Sequence, residues 1–169
     1  MKPRLSLKGR GLQMLAQREQ SRSELRRKLL AHARAAQAAA TETAGDAGKA
    51  ATEEPANAEA EVEAALDWLQ AHQYLNEERF VESRVHARAP RFGNQRIRQE
   101  LALHGVALPP EVAKQLKDTE AARAHEVWER KFGAPAADPA GRARQARFLA
   151  ARGFSGEVIR RVVQGLADD

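Results

Sequence analysis

The chain has 169 residues, with 28 Lys+Arg against 23 Asp+Glu for a net charge of +5, and no cysteine. Without thiols there are no disulfide scaffolds, thiolate metal sites, cysteine nucleophiles or iron–sulfur clusters. Aromatics make up 5% of the chain and alanine supplies much of its 43% hydrophobic content, so each unit buries only a thin core and needs neighbours to stack on.

The β-branched and aromatic runs of strands are missing, while Ala, Leu, Arg, Glu and Gln favour helix, so the expected fold is all-α. No apolar run reaches the ~18 residues of a membrane span. The basic start Met1-Lys2-Pro3-Arg4 leads into no apolar stretch of a secretory signal, and a cytoplasmic protein is expected. Charge is segmented. Residues 1–34 carry ten basic and two acidic groups, net +8, and residues 35–67 carry one basic and eight acidic groups, net −7. Basic segments of this kind suit a polyanion or an acidic protein groove, although solvated helix faces also produce them.

Ser21-Arg22-Ser23-Glu24 fits a capping box, and Leu25 and Leu29 follow on one helical face. Segment 35–58 has eleven alanines in 24 residues and no larger apolar residue. It reads as a mobile insert whose first residues, to Ala40, extend the preceding helix, with Gly45, Gly48 and Pro55 as breaks. Val62, Ala65, Leu66 and Leu69 form the next amphipathic stripe. Asn76 caps a helix carrying Glu77 and Glu78 at its positive end and Phe80, Val81 and Val85 on its inner side. Ile97 and Leu101 line another, closed by Gly105. Pro110 starts a short helix with Val112 and Leu116. A separate stripe follows, Ala121, Ala124, Val127, Trp128 and Phe132, ended by Gly133. Asp138-Pro139 opens a helix that Gly153 ends, and Ser155 opens the last, with Val158, Ile159, Val162, Val163 and Leu166.

These elements recur. Leu101 precedes Gly105 by four residues and Leu149 precedes Gly153 by four; the same 48-residue offset links Arg96 to Arg144 and Phe80 to Trp128. Glu-Val occurs near a helix start three times, at Glu61-Val62, Glu111-Val112 and Glu157-Val158. The chain therefore reads as three tandem three-helix repeats in an elongated, curved, solenoid-like array, with units 1–75, 76–118 and 119–169.

Four stretches resemble the RecX family. Arg18 to Leu29 resembles its "RR-x-S-x-x-EL-x-x-KL" opening, and Tyr74-Leu75-Asn76-Glu77-Glu78-Arg79-Phe80 its "GYL-(D/N)-D-x-RFA" element. Phe92 to Leu101, with Gly105-Val106, resembles "G-x-x-(K/R)-I-x-x-EL-x-x-KGV". Arg144 to Ser155 resembles "RR-x-x-FL-x-RRGFS". The insert is long for the family, and Asn76 stands where Asp is common, a change that keeps the cap. The resemblance implies a non-catalytic regulator that binds the RecA–ssDNA filament and restrains recombinase and coprotease activity in DNA repair and the SOS response.

Nothing in the residues calls for an enzyme. His32, His72, His86, His104 and His125 form no metal-ligand spacing, and P-loop, Gly-x-Gly-x-x-Gly and Gly-x-Ser-x-Gly patterns are absent. No catalytic residue, metal or cofactor is expected. The candidate filament or nucleic-acid contacts are Arg22, Arg26 and Arg27 in the first unit, Arg91, Arg96 and Arg98 in the second, and Arg144, Arg147 and Arg152 in the third. Arg96 and Arg144 share one repeat position, so a stack would carry it along one surface. Most aromatics lie on core stripes, and Phe92 and Phe154, beside turns, are the better candidates for exposed contacts. The expected partners are the RecA filament and single-stranded DNA within or beside it, with no membrane, for a monomer. The alternatives are a helix-turn-helix-like DNA-binding protein acting without RecA, and a helical scaffold.

Overall fold

The computed structural model describes residues 5–44 and 54–165. They form eight helices and no strand: α1 (Leu7–Leu15), α2 (Arg22–Ala44), α3 (Glu54–Ala71), α4 (Glu77–Arg88), α5 (Asn94–Leu103), α6 (Pro110–Phe132), α7 (Pro139–Ala151) and α8 (Gly156–Val163). The all-α expectation holds. The chain separates into two compact units, Met1–Phe80 and Val81–Asp169.

In the first unit α1, α2 and α3 pack on one another. Leu25, Leu29 and Leu30 of α2 meet Val62, Leu66 and Leu69 of α3 in one buried core. Gly11 lets α1 lie close to α3, since a Cβ there would come 2.5 Å from Leu69 Cδ1. The Ser21 hydroxyl accepts the Glu24 N–H at 3.2 Å and starts α2 where the capping box places it.

The ends of the Ala-rich segment differ from the mobile insert expected at 35–58. Helix α2 continues to Ala44 and α3 already begins at Glu54. Alanine has the highest helix propensity, and Pro55 falls in the first turn, where a missing N–H is harmless. Ala58 is fully buried in the core, a small residue used where two helices approach. The middle of the segment, 45–53, lies outside the described residues.

In the second unit α6 packs against α5, α7 and α8. Ala124, Val127 and Trp128 of α6 meet Leu149, Phe154, Ile159, Val162 and Val163. Helix α6 is one continuous helix of 23 residues, where a short helix and a separate stripe were expected. Lys117-Asp118-Thr119-Glu120 contains no Gly or Pro, so nothing breaks the backbone ladder between them. The expected division at 118/119 thus falls within this helix. Phe154, expected as an exposed contact, is 2% exposed and belongs to the core.

Three turns close in the same way. Gln73 (φ 60°), Gly105 (φ 71°) and Gly153 (φ 81°) each follow a buried leucine by four residues. The next N–H returns to that leucine's carbonyl: Tyr74 to Leu69 at 2.9 Å, Val106 to Leu101 at 3.0 Å, and Phe154 to Leu149 at 3.3 Å. The left-handed residue lets the chain reverse and satisfy a carbonyl at the helix end.

Candidate anion-binding surface

Two groups on α6 organise the second unit. Glu120 is 4% exposed, and its Oε1 accepts the N–H of Asn94 at 3.0 Å and of Ser155 at 3.3 Å. One carboxylate thus caps the starts of α5 and α8, where the helix dipole favours negative charge. Arg123 donates to the carbonyls of Ala89 (3.1 Å), Phe92 (2.9 Å) and Leu116 (2.9 Å), and to Asn94 Oδ1 (2.6 Å). Burial lowers its pKa from the ordinary guanidinium value, and the nearby Glu120 charge opposes that shift. Arg123 therefore fixes the turn between α4 and α5. That turn also sits on the one after α7: the Gly93 N–H donates to the Arg152 carbonyl at 2.9 Å, and the Gly153 carbonyl accepts from Gln95 at 3.1 Å.

Beside this frame lies an open groove of about 430 Å³. Arg88, Arg91, Arg130, Lys131 and Arg152 line it, with Pro90, Phe92, Val127 and Phe148 between them, and none of its lining residues is acidic. Arg88 is paired with Glu100 at 2.9 Å, as is Arg84 at 3.1 Å. Arg91, Arg130, Lys131 and Arg152 have no carboxylate partner among the described residues. The Arg152 guanidinium carbon stands 3.7 Å from the Phe148 ring centre, a cation–π contact that orients its donor fork. Arg96 lies 5.6 Å from the ring centre of Phe92.

The expected contact residues are distributed unevenly. Arg91 and Arg152 line the groove, and Arg96 flanks its Phe92. Arg98, Arg144 and Arg147 are exposed on α5 and α7. Arg144, with Arg142, also contributes to holding Asp138 below the usual carboxylate range, an effect due first to the Gly141 N–H. Arg27 is exposed on α2. Arg22 and Arg26 are tied to α3: Arg22 pairs with Glu63 at 2.8 Å and Asp67 at 2.7 Å, and Arg26 pairs with Glu63. Burial alone would lower the Arg22 pKa, but its hydrogen bonds to Asp67 and Glu63 raise it, and the Arg26 hydrogen bond leads in lowering that of Glu63.

Sequence reasoning missed Arg130 and Lys131, which read as ordinary cations in the last turn of a helix. It also missed Glu120 and Arg123. Glu120 had a visible signature: it stands between Leu116 and Ala124 on the apolar stripe, a carboxylate where a core residue belongs.

Two family models match, "RecX, third three-helix domain" over residues 118–163 and "RecX, second three-helix domain" over 76–108. The regulatory protein RecX of Ralstonia nicotianae is 46% identical over 170 residues, covering 98% of this chain and 92% of the relative. The chain belongs to the RecX family. RecX of Leptothrix cholodnii is 47% identical over 169 residues, covering 99% of this chain and 92% of its own. The crystal structure of RecX from Lactobacillus salivarius matches the fold with a TM-score of 0.62 at 14% identity, over 95% of this chain and 94% of that one. The helical repeat organisation is therefore that of RecX proteins. Among the described residues, no helix is long and apolar enough to cross a membrane.

Proposed function

We propose that this chain is a non-catalytic, cytoplasmic modulator of the RecA recombinase that binds the RecA–ssDNA filament and restrains its recombinase and coprotease activities. Identity of 46–47% to regulatory RecX proteins over 98–99% of this chain carries the reading. The groove supports it, because arginines without carboxylate partners at one place suit an anionic partner. The unit boundaries at 75/76 and 118/119 and the contacts through Arg27, Arg91, Arg96, Arg98, Arg144, Arg147 and Arg152 are part of this proposal. Arg22 and Arg26 have a second role, since their ion pairs join α2 to α3.

A protein that binds assembled subunits better than free ones shifts assembly by its differential affinity. Bridging neighbouring subunits would exclude a partner strand or a cleavage substrate. Occupying a filament end would stop growth. The test measures RecA-dependent ATP hydrolysis and strand exchange with this protein substoichiometric to RecA. Both rates are expected to fall, and sedimentation with RecA–ssDNA is expected to exceed that with RecA alone. Absence of inhibition at every ratio removes the proposal, and tight sequence-dependent duplex binding without RecA replaces it with the helix-turn-helix alternative.

A further inference from the structure

We propose that the groove of the second unit is itself a binding site for one unpaired strand of nucleic acid, with bases against Phe92 and against the Arg152 guanidinium that stacks on Phe148, and phosphates on Arg91, Arg130 and Lys131. This rests on the reading above for its biological context, while the site stands on its own geometry. Three chain segments converge there: the α4–α5 turn supplies Arg91, the last turn of α6 supplies Arg130 and Lys131, and the end of α7 supplies Arg152. Their positive charge meets no acidic residue in the lining. Helix dipoles account for cations at the end of α6, but not for Arg91 in a turn.

The two rings decide between kinds of polyanion. Phe92 and Phe148 are half-buried in the groove wall, between cations. A duplex offers phosphates on its outside but keeps base faces stacked within, so the rings would meet nothing flat. An unpaired strand offers an anionic phosphate and an aromatic plane at every nucleotide. The walls provide that alternation: Phe92 is flanked by Arg88 and Arg96, and Phe148, packed edge-on with Phe132, carries the flat Arg152 guanidinium on its face, a plane on which a base can stack. A groove of about 430 Å³ has the size of a small-ligand pocket, room for a very short stretch of strand. The platform is also rigid, because Arg123 and the Gly93–Arg152 hydrogen bond hold the two turns that bear Arg91, Phe92 and Arg152.

The experiment is fluorescence anisotropy of labelled oligothymidylate with the full chain and no recombinase. Binding is expected to weaken as salt rises. Arg130→Ala with Lys131→Ala is expected to lower the log–log salt slope by about 1.4, since each single-strand phosphate contributes about 0.7. Lys114→Ala with Lys117→Ala removes equal charge from the same helix outside the groove and is expected to leave the slope near wild type. Phe148→Leu keeps an apolar side chain but removes the ring that holds the Arg152 plane in place, and is expected to weaken binding by about 5-fold or more, with thermal unfolding confirming that the variant folds. Equal binding of duplex, equal losses from the two double-alanine variants, or no response to Phe148→Leu would each overturn the site. So would preferential capture of an acidic peptide, or of free thymidine monophosphate, over the strand. If wild type inhibits RecA yet binds no free strand, the site is lost and the filament reading stands. If it binds strand at the groove but never inhibits RecA, the reverse holds.

Discussion

Gly93 and Gly153 bring two turns into backbone contact: a side chain on Gly93 would run into the Gly153 carbonyl, and one on Gly153 would come 2.6 Å from Arg96 Cβ. Because the obstruction is backbone, it cannot swing aside. Gly93→Ala is expected to destabilise the protein by about 2 kcal/mol or more, and Gly153→Ala by at least as much, because its φ of 81° adds strain. Gly156→Ala, with open space around it, should be neutral or slightly stabilising. Urea unfolding followed by circular dichroism separates the three. An unchanged midpoint for Gly93→Ala would refute the close approach.

Gln73 holds the left-handed conformation that Gly105 and Gly153 hold in the matching turns. A side chain at positive φ costs about 1–2 kcal/mol, of which glycine's extra freedom when unfolded takes back part. Gln73→Gly is expected to raise stability by about 0.5–1 kcal/mol, whereas Gly105→Gln should lower it. Paired denaturation curves test both, and a destabilised Gln73→Gly would contradict the prediction.

Glu120 serves two helix starts from inside the core. Removing it leaves the Asn94 and Ser155 N–H groups without their acceptor and Arg123 without its nearby charge. Glu120→Ala is expected to lose on the order of 3 kcal/mol, and Glu120→Gln, which keeps an acceptor oxygen, less. Amide exchange offers a local readout: protection of Asn94 and Ser155 should fall together in the alanine variant. Loss at only one of them would mean that the clamp is not shared.

Glu24 provides a pH signature in the first unit. Burial pushes its carboxyl up, but hydrogen bonds from Arg18 and Lys28 outweigh it and hold it at about 2. The folded pKa is below the ordinary 4.5, so this contribution is present above about pH 4.5 and is lost as pH falls toward 2. The partners are 48% and 37% exposed, so solvent screening leaves on the order of 1–2 kcal/mol. Glu24→Gln should flatten the fall in stability across that window. Equal slopes for variant and wild type would show the pairing to be energetically silent.

Much of the fold was legible because helix ends have local chemistry. The side chains of Ser21, Asn76 and Asp138 each accept the N–H three residues on, and Gly105, Gly133 and Gly153 are left-handed as their positions suggest. Helix continuity was less legible, because Pro110 and a new apolar stripe suggest two helices while only the backbone decides that α6 is one. The groove was half legible. Arg91, Arg96 and Arg152 stood out by repetition, but their gathering around Phe92 and Phe148 depends on contacts between residues some 60 positions apart, such as Gly93 with Arg152. Arg22 and Arg26 show the converse: the acidic residues that occupy them lie about 40 positions away, beyond any local pattern.

The unbroken course of α6 limits where the chain can be cut and rejoined. Its early residues meet the preceding helix through Leu116 and Asn94, and its later ones form the wall for α7 and α8. A chimera spliced at 118/119 would sever a rigid rod in mid-turn and strand half of each wall. A splice in the loop just before Pro110 would instead leave that helix whole beside the two helices it supports.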